Sequence, residues 1–226
     1  MENRVNHLAV ILDGNRRWAR AHGMQPFEGH RAGYDNVKNL LKWCREAGIN
    51  FLTLYCFSTE NWKRSQEEVQ FLMDLFYFVF SKEIKTLHKE NVRVRVIGHK
   101  AGLSKRLQGA IEKVEELTKN NTGGVLSLAI NYGGRQELAD AFNAMMRKHP
   151  GEITPHAIEA ELYTAGIPDP DLIIRTSGEK RLSGFLTWQS CYSELLFVDH
   201  HWPEFNREDF DNALKEFDNR QRRYGA

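Results

Sequence analysis

The chain has 226 residues, with 31 Lys and Arg against 30 Asp and Glu, for a formal charge of +1. Its 41% hydrophobic and 27% charged residues match ordinary globular usage and exclude a disordered chain. No uninterrupted apolar run reaches the roughly 18 residues of a membrane span, and the balanced charge excludes a generic nucleic-acid binder but not a local basic site.

In chain order, Leu8 to Leu12 is the first predicted strand. Val37, Leu40, Leu41 and Cys44 keep helical spacing, and Gly48 stands where that helix stops. Phe51 to Phe57 is the second strand. Ser65 and Glu68 form a capping-box pattern that opens a long helix to about His88. Val92 to Ile97 is a strand with Arg93 and Arg95 interleaved. Leu107, Ile111 and Val114 mark a helix, and Val125 to Ile130 a strand. A helix carrying Leu138, Phe142 and Met145 follows, then one opened by Thr154-Pro155. Leu172 to Ile174 and Leu195 to Val198 are short strands, and a last helix spans about Arg207 to Arg222. With neither repeat nor linker, residues 1–226 read as a single domain. Strand alternating with helix predicts an α/β fold, with a mainly parallel central β-sheet of about six strands surrounded by helices.

Cys44, Cys56 and Cys191 are odd in number and far apart. They point to a reducing compartment rather than to disulfides or a cysteine zinc site. The first residues lack a signal-peptide layout, so the protein reads as cytoplasmic.

In open α/β sheets, ligands bind beyond the carboxyl ends of the strands. Four segments there are rich in Arg, Asn, Ser and Gly: Asp13 to Trp18, Ser58 to Arg64, Asn131 to Arg135, and Arg175 to Ser183. Converging arginines and exposed amides suit phosphate. Asp13 could hold Mg2+ bridging phosphate oxygens. Taken singly, the bland readings are strong: Asp-Gly-Asn as a turn, Trp62 as a loop anchor, and Arg175 to Ser183 as a solvated basic loop. Neither a Walker A loop nor Gly-x-Gly-x-x-Gly is present. His30, His99, His200 and His201 lack zinc spacing, and Ser177-Gly178 lacks a hydrolase elbow. On the long helix, Val69, Leu72, Met73, Phe76, Val79 and Phe80 form an apolar stripe that Phe71, Leu75 and Phe78 widen. Such a stripe is ordinary core or the wall of a hydrophobic tunnel. Together with the phosphate segments it suggests a substrate joining diphosphate to hydrocarbon.

The motifs D-G-N-x-R-W-A at Asp13 to Ala19, G-H-x-x-G at Gly29 to Gly33 and F-S-T-E-N-W-x-R at Phe57 to Arg64 are long and specific. So are N-Y-G-G-R at Asn131 to Arg135, I-R-T-S-G-E-x-R-L-S at Ile174 to Ser183, W-Q-x-x-Y-x-E-L at Trp188 to Leu195 and W-P-x-F at Trp202 to Phe205. From His7 to Gly225 the chain resembles the cis-prenyltransferases of the undecaprenyl diphosphate synthase family. The resemblance implies a homodimer and a Mg2+-dependent, head-to-tail condensation of isopentenyl diphosphate onto an allylic diphosphate, farnesyl diphosphate for a long product such as undecaprenyl diphosphate. It implies Asp13 as the catalytic, magnesium-linked carboxylate and Glu194 as a second metal ligand. Gly14, Asn15, Arg16, Arg17, Trp18 and His30 would bind the allylic diphosphate, with Ser58, Thr59 and Glu60 lining that site. Asn61 is the family's proton acceptor, although a neutral amide is a poor base. It suits positioning better, with a diphosphate oxygen taking the proton. Trp62 and Arg64 would bind substrate, and Arg175, Arg181, Leu182 and Ser183 isopentenyl diphosphate.

Four residues depart from the common pattern. Arg16 replaces glycine, Pro26 replaces an arginine, Lys180 replaces histidine or glutamine, and Gly184 replaces asparagine. Pro26 leaves the donor site one charge poorer unless Arg16 or Arg20 substitutes. Cys56 is small and suggests an open tunnel, which Phe76, Phe78 and Phe80 could narrow. Arg220 to Gly225 would reach the partner subunit, and a long product implies peripheral membrane contact during release. The alternatives are a short-chain or branched-product synthase, a non-catalytic partner subunit, and a phosphate-binding regulatory module. Retention of Asp13, Arg17, Arg175 and Arg181 argues against the last two.

Overall fold

A computed structural model describes residues 5–148 and 153–220. Six strands form one parallel sheet: β1 His7–Ile11, β2 Phe51–Ser58, β3 Arg93–Ile97, β4 Val125–Tyr132, β5 Leu172–Arg175 and β6 Glu194–Phe197. Their order is β3-β4-β2-β1-β5-β6, and every pairing is parallel. The helices are α1 Asn15–Ala21, α2 Pro26–Glu46, α3 Gln66–Phe78, α4 Ile84–Lys89, α5 Lys105–Thr118, α6 Gly134–Lys148, α7 Pro155–Glu159 and α8 Arg207–Asn219.

Alternation along the strands sorts two faces. Leu8 and Val10 of β1 and Leu52 and Leu54 of β2 join the larger core. Ala9, Ile11 and Tyr55 pack on the other face with Phe185 and Leu186. The exposed edge, β3, is finished by α5: Val94 N donates to Thr118 Oγ1 at 3.0 Å and Val96 N to Glu115 Oε1 at 2.8 Å. These bonds satisfy amides that would otherwise template another strand.

Three expectations are corrected. The long helix is interrupted by a π turn, Val79–Glu83, before α4 continues. Phe80 continues the Leu72–Phe76 stripe at i+4 spacing and is buried, while Phe78, about half a turn round, faces outward. The capping box at Ser65 is only half formed: Ser65 Oγ accepts from Glu68 N, but the Glu68 carboxylate turns to His30 and Arg64 instead. The last helix ends at Asn219 and is capped by Arg220. The expected tail contact, Gln221 to Gly225, lies outside the described residues.

Candidate active site

β1 delivers Asp13 just past its carboxyl end, and neighbouring segments pin that backbone. Thr176 Oγ1 donates to Asp13 O at 2.7 Å, and Trp202 N donates to the same oxygen at 2.9 Å. Gly14 turns the chain at φ +104°, and a Cβ there would sit 2.7 Å from both Ser177 Oγ and His201 Nδ1. Glycine is needed on both grounds. α1 then presents Arg16, Arg17 and Arg20 to a polar basin of about 380 Å³, which Asp13, Gly14, Asn15, His30, Ser58, Asn61, Arg64, Arg175 and Ser183 also line.

Arg175 is the keystone. Its side chain is only 6% exposed. It donates to Asp13 Oδ2 at 2.8 Å, to Ser183 Oγ at 2.8 Å and to the Arg181 carbonyl, tying the β1 and β5 loops together. Arg17 approaches the other Asp13 oxygen at 3.2 Å. Burial raises the Asp13 pKa, but the hydrogen bond and charge of Arg175, with help from Arg17, outweigh it and hold the carboxyl below its ordinary value. Asp13 is therefore an anion at neutral pH.

A second cluster forms around Glu68. It receives Arg64 at 2.9 Å, His30 at 3.0 Å and Arg16 at 3.6 Å. Burial lowers the His30 pKa, only partly opposed by the Glu68 hydrogen bond. The local pattern marked Glu68 as a capping residue, and nothing in its sequence neighbourhood signals that three basic groups meet on it. Arg16 and Arg20, the two arginines that could stand in for the charge absent at Pro26, both line the basin. Pro26 itself occupies the first turn of α2 behind a Gln25–Glu28 capping box.

Asn61 Oδ1 accepts the Ser58 amide at 3.1 Å and closes a capping box on the 3-10 turn Thr59–Lys63. Its carbonyl oxygen is thus engaged, which leaves the amide NH2 as the group to offer a substrate. Ser183 has φ +52° and Ser177 φ +79°, unusual backbone for non-glycine residues and typical of functional loops.

Several expected residues lie elsewhere. Trp62 Nε1 donates to Asn131 Oδ1 at 2.7 Å, and its ring meets Phe57 edge-on at 5.1 Å. It anchors its loop and lines neither the basin nor the apolar cavity. Trp18 packs on His22 at 4.6 Å. Thr59 and Glu60 lie on the 3-10 turn beside the basin. Arg181 is exposed and paired with Glu179, which also receives Arg17 at 3.1 Å, and Leu182 packs against the second core. Glu194 opens β6 opposite Leu172 and bonds Arg220 at 3.0 Å. It sits three residues, roughly 10 Å, behind Arg175 along the strands. Within one chain, Asp13 and Glu194 therefore do not share an ion.

The basin adjoins an apolar cavity of about 410 Å³. Leu12, Asn15, His30 and Cys56 border both. The cavity runs between α2 and α3 over the sheet, with Leu72, Phe76, Val79 and Phe80 on one wall and Leu54, Val94, Leu126 and Leu128 below. Burial pushes the Cys56 thiol up to about 12, so it stays a neutral, small wall residue. Phe78, expected to narrow the space, does not reach it. A site that joins a cationic basin to a narrow apolar cavity can hold the charged head and the hydrocarbon tail of one amphiphile.

Residues 11–225 match the family model described as "Putative undecaprenyl diphosphate synthase". An isoprenyl transferase from Thermotoga maritima is 47% identical, covering 97% of this chain and 96% of its own. Lavandulyl diphosphate synthase from Lavandula x intermedia, solved with dimethylallyl diphosphate, superposes with TM-score 0.94 at 34% identity over 100% of both chains. A probable undecaprenyl diphosphate synthase from Campylobacter jejuni superposes with TM-score 0.85 at 34% identity, covering 99% of this chain and 100% of its own.

Proposed function

Because the chain belongs to the undecaprenyl diphosphate synthase family and is a cis-prenyltransferase, we propose that it extends an allylic diphosphate into a long Z-polyprenyl diphosphate at the basin around Asp13. The observation that carries this reading is the continuity of the basin with the apolar cavity. The allylic diphosphate sits among Arg16, Arg17, Arg20 and Arg64, with its tail passing His30 and Cys56. Isopentenyl diphosphate sits against Arg175 and Ser183. When the allylic C–O bond breaks, the leaving diphosphate gains charge, and preoriented guanidinium groups stabilise it. Asn61 positions the acceptor, and the proton lost in forming the new double bond goes to a diphosphate oxygen. The cavity walls keep water from the allylic cation.

Among the described residues, no group of three or more His, Cys, Asp or Glu could hold a metal by itself. One anionic carboxylate beside a phosphate site nevertheless suits Mg2+, which binds through one or two carboxylates together with substrate phosphates. Asp13 would hold it, and the ion would neutralise diphosphate charge. A metal role for Glu194 requires a second copy of the chain to bring it to the basin, in keeping with a homodimer. No helix among the described residues is long and apolar enough to cross a membrane, and we place the enzyme in the cytoplasm with peripheral membrane contact during product release. The single domain covers residues 1–226.

Purified protein, Mg2+ and radiolabelled isopentenyl diphosphate are incubated separately with C5, C10 and C15 allylic diphosphates, and the dephosphorylated products are chromatographed. A long polyprenol is expected. A product stopping at C10 to C15 would move the enzyme to the short-chain or branched reading, which the likeness to the lavandulyl enzyme favours. No incorporation by folded protein would overturn catalysis.

A further inference from the structure

Three strand ends meet behind the Asp13 turn. Gly14 follows β1, Ser177 stands two residues past β5, and His201 stands four residues past β6. Ser177 Oγ and His201 Nδ1 share a hydrogen bond of 2.6 Å, and the pair lies so close to Gly14 that no Cβ fits there. Neither side chain lines the basin or the apolar cavity, so the bond makes no direct contact with substrate. The backbone around it is zipped together. Ser177 N donates to His200 O at 2.7 Å, Gly178 N to Val198 O at 3.0 Å and Trp202 N to Asp13 O at 2.9 Å. These bonds hold Ser177 at φ +79°, a conformation that glycine adopts more readily than serine. A side chain kept in such a conformation points to a use for its hydroxyl.

We propose that Ser177 and His201 form a strut that fixes the Gly14 turn and thereby aims the Asp13 carboxylate and the Arg17 guanidinium at the reacting diphosphate. Both are positioning residues, and the proposal rests on the prenyltransfer reading above. The turn needs a strut because glycine, the residue type that permits it, is also the least restrained. The bonds to Asp13 O pin the chain just before the glycine, and the strut braces it at the glycine itself. Asp13 directly precedes Gly14, and Arg17 lies in the first turn of α1, so a swing of the turn moves both together. A displacement of about 1 Å costs a large share of any rate that depends on alignment. Arg175 keeps its own bonds to Ser183 Oγ at 2.8 Å and to the Arg181 carbonyl, so the isopentenyl diphosphate side is held independently of the strut.

Ser177→Gly removes the hydroxyl and suits the positive φ, whereas Ser177→Ala removes the hydroxyl and keeps the strain. The glycine variant is expected to melt above the alanine variant. Both are expected to lower kcat by roughly 10-fold, with KM for isopentenyl diphosphate unchanged. If the serine were merely structural, activity would follow the melting temperature instead. His201→Asn keeps a polar atom at the place of Nδ1 and is expected to keep turnover, while His201→Leu matches the loss. In the double variant Ser177→Gly/His201→Leu the two losses are expected not to multiply. Multiplied losses, or full turnover in Ser177→Gly, would overturn the strut. Amide hydrogen exchange in the substrate-free protein gives a readout without turnover. The Trp18 amide donates to Gly14 O at 2.8 Å and reports on the turn, and the Val94 amide, bonded to Thr118 on the β3 edge, is the control. In Ser177→Gly, Trp18 is expected to exchange roughly 10-fold faster with Val94 unchanged. Equal Trp18 exchange in this variant and the unaltered protein would overturn the proposal even if neither turns over substrate. Absence of turnover in the unaltered protein would count against the prenyltransfer reading and not against the strut.

Discussion

The basin and the tunnel are neighbours built by opposite rules. In the basin, functional groups come from short contiguous segments just beyond strand ends. Asp13 to Arg17 follows β1, Ser58 to Arg64 ends β2, and Arg175 to Ser183 ends β5. In the tunnel, wall residues are gathered from successive turns of helices and from several strands, spread from Leu12 to Trp202. The basin is held by directed bonds to a few charged groups, so single changes there are expected to lower the rate of the chemical step. The tunnel is held by packing, so single changes there are expected to alter stability and product size. This difference explains why local motifs reveal the reaction class and say little about chain length.

The sharpest way to break the comparison is Asp13→Ala, which removes the one carboxylate lining the basin among the described residues. Turnover is expected to fall by roughly 10³-fold, with the fold intact by circular dichroism. A small effect would mean that the basin's charge is not concentrated there. On the tunnel side, Leu54→Ala leaves a void beneath a fully buried position. It is expected to cost about 2–4 kcal/mol of stability, read from chemical denaturation, while leaving a folded and active enzyme at low temperature. Abolished chemistry in a folded Leu54→Ala protein would erase the distinction.

Asn61→Ala should lower turnover by about 10-fold and loosen the 3-10 turn through its lost cap, worth about 1 kcal/mol. Retained turnover with normal substrate affinity would leave Asn61 no role in positioning. The smallest effect concerns pH. Burial holds the folded-state pKa of His30 below the unfolded value of 6.5, so the unfolded chain binds the proton more readily. The linked stability is full above pH 6.5 and is lost as pH falls toward the folded value. His30→Gln should flatten that part of the stability curve, as measured by thermal melts between pH 5 and 7.5, and an unchanged slope would mean the imidazole is not the group responsible. Asp13 has the same sign in a lower window: its contribution is present above the unfolded value of 3.8 and falls as pH drops through the depressed folded value.

Much of the fold was legible because strands and helices carry their own periodicity. Leu52 and Leu54 alternate with Thr53 and Tyr55, and Leu40 and Cys44 repeat at helical spacing. The π turn was not legible, since Val79 to Glu83 keeps an uninterrupted helical composition. Of the site, Asp13, Arg175 and Ser183 stood in recognisable segments, and the fold brings them together. Trp62 had the right composition for a tunnel wall, but the 2.7 Å bond to Asn131 turns it into an anchor. Glu194 stood in a motif, yet the parallel register of β5 and β6 puts it behind Arg175.

By itself, then, the sequence determined the α/β class, the strand-end segments and the reaction class, because periodicity and contiguous motifs are properties of neighbouring residues. Only the tertiary structure decided that Glu68 gathers Arg16, Arg64 and His30, that Phe78 misses the tunnel, and that Lys38 meets Glu83 part-way along it. Those outcomes depend on how α2 and the α3–α4 segment lie together on one face of the sheet. Contacts between residues distant in the chain are set by packing and helix register, which no local pattern encodes.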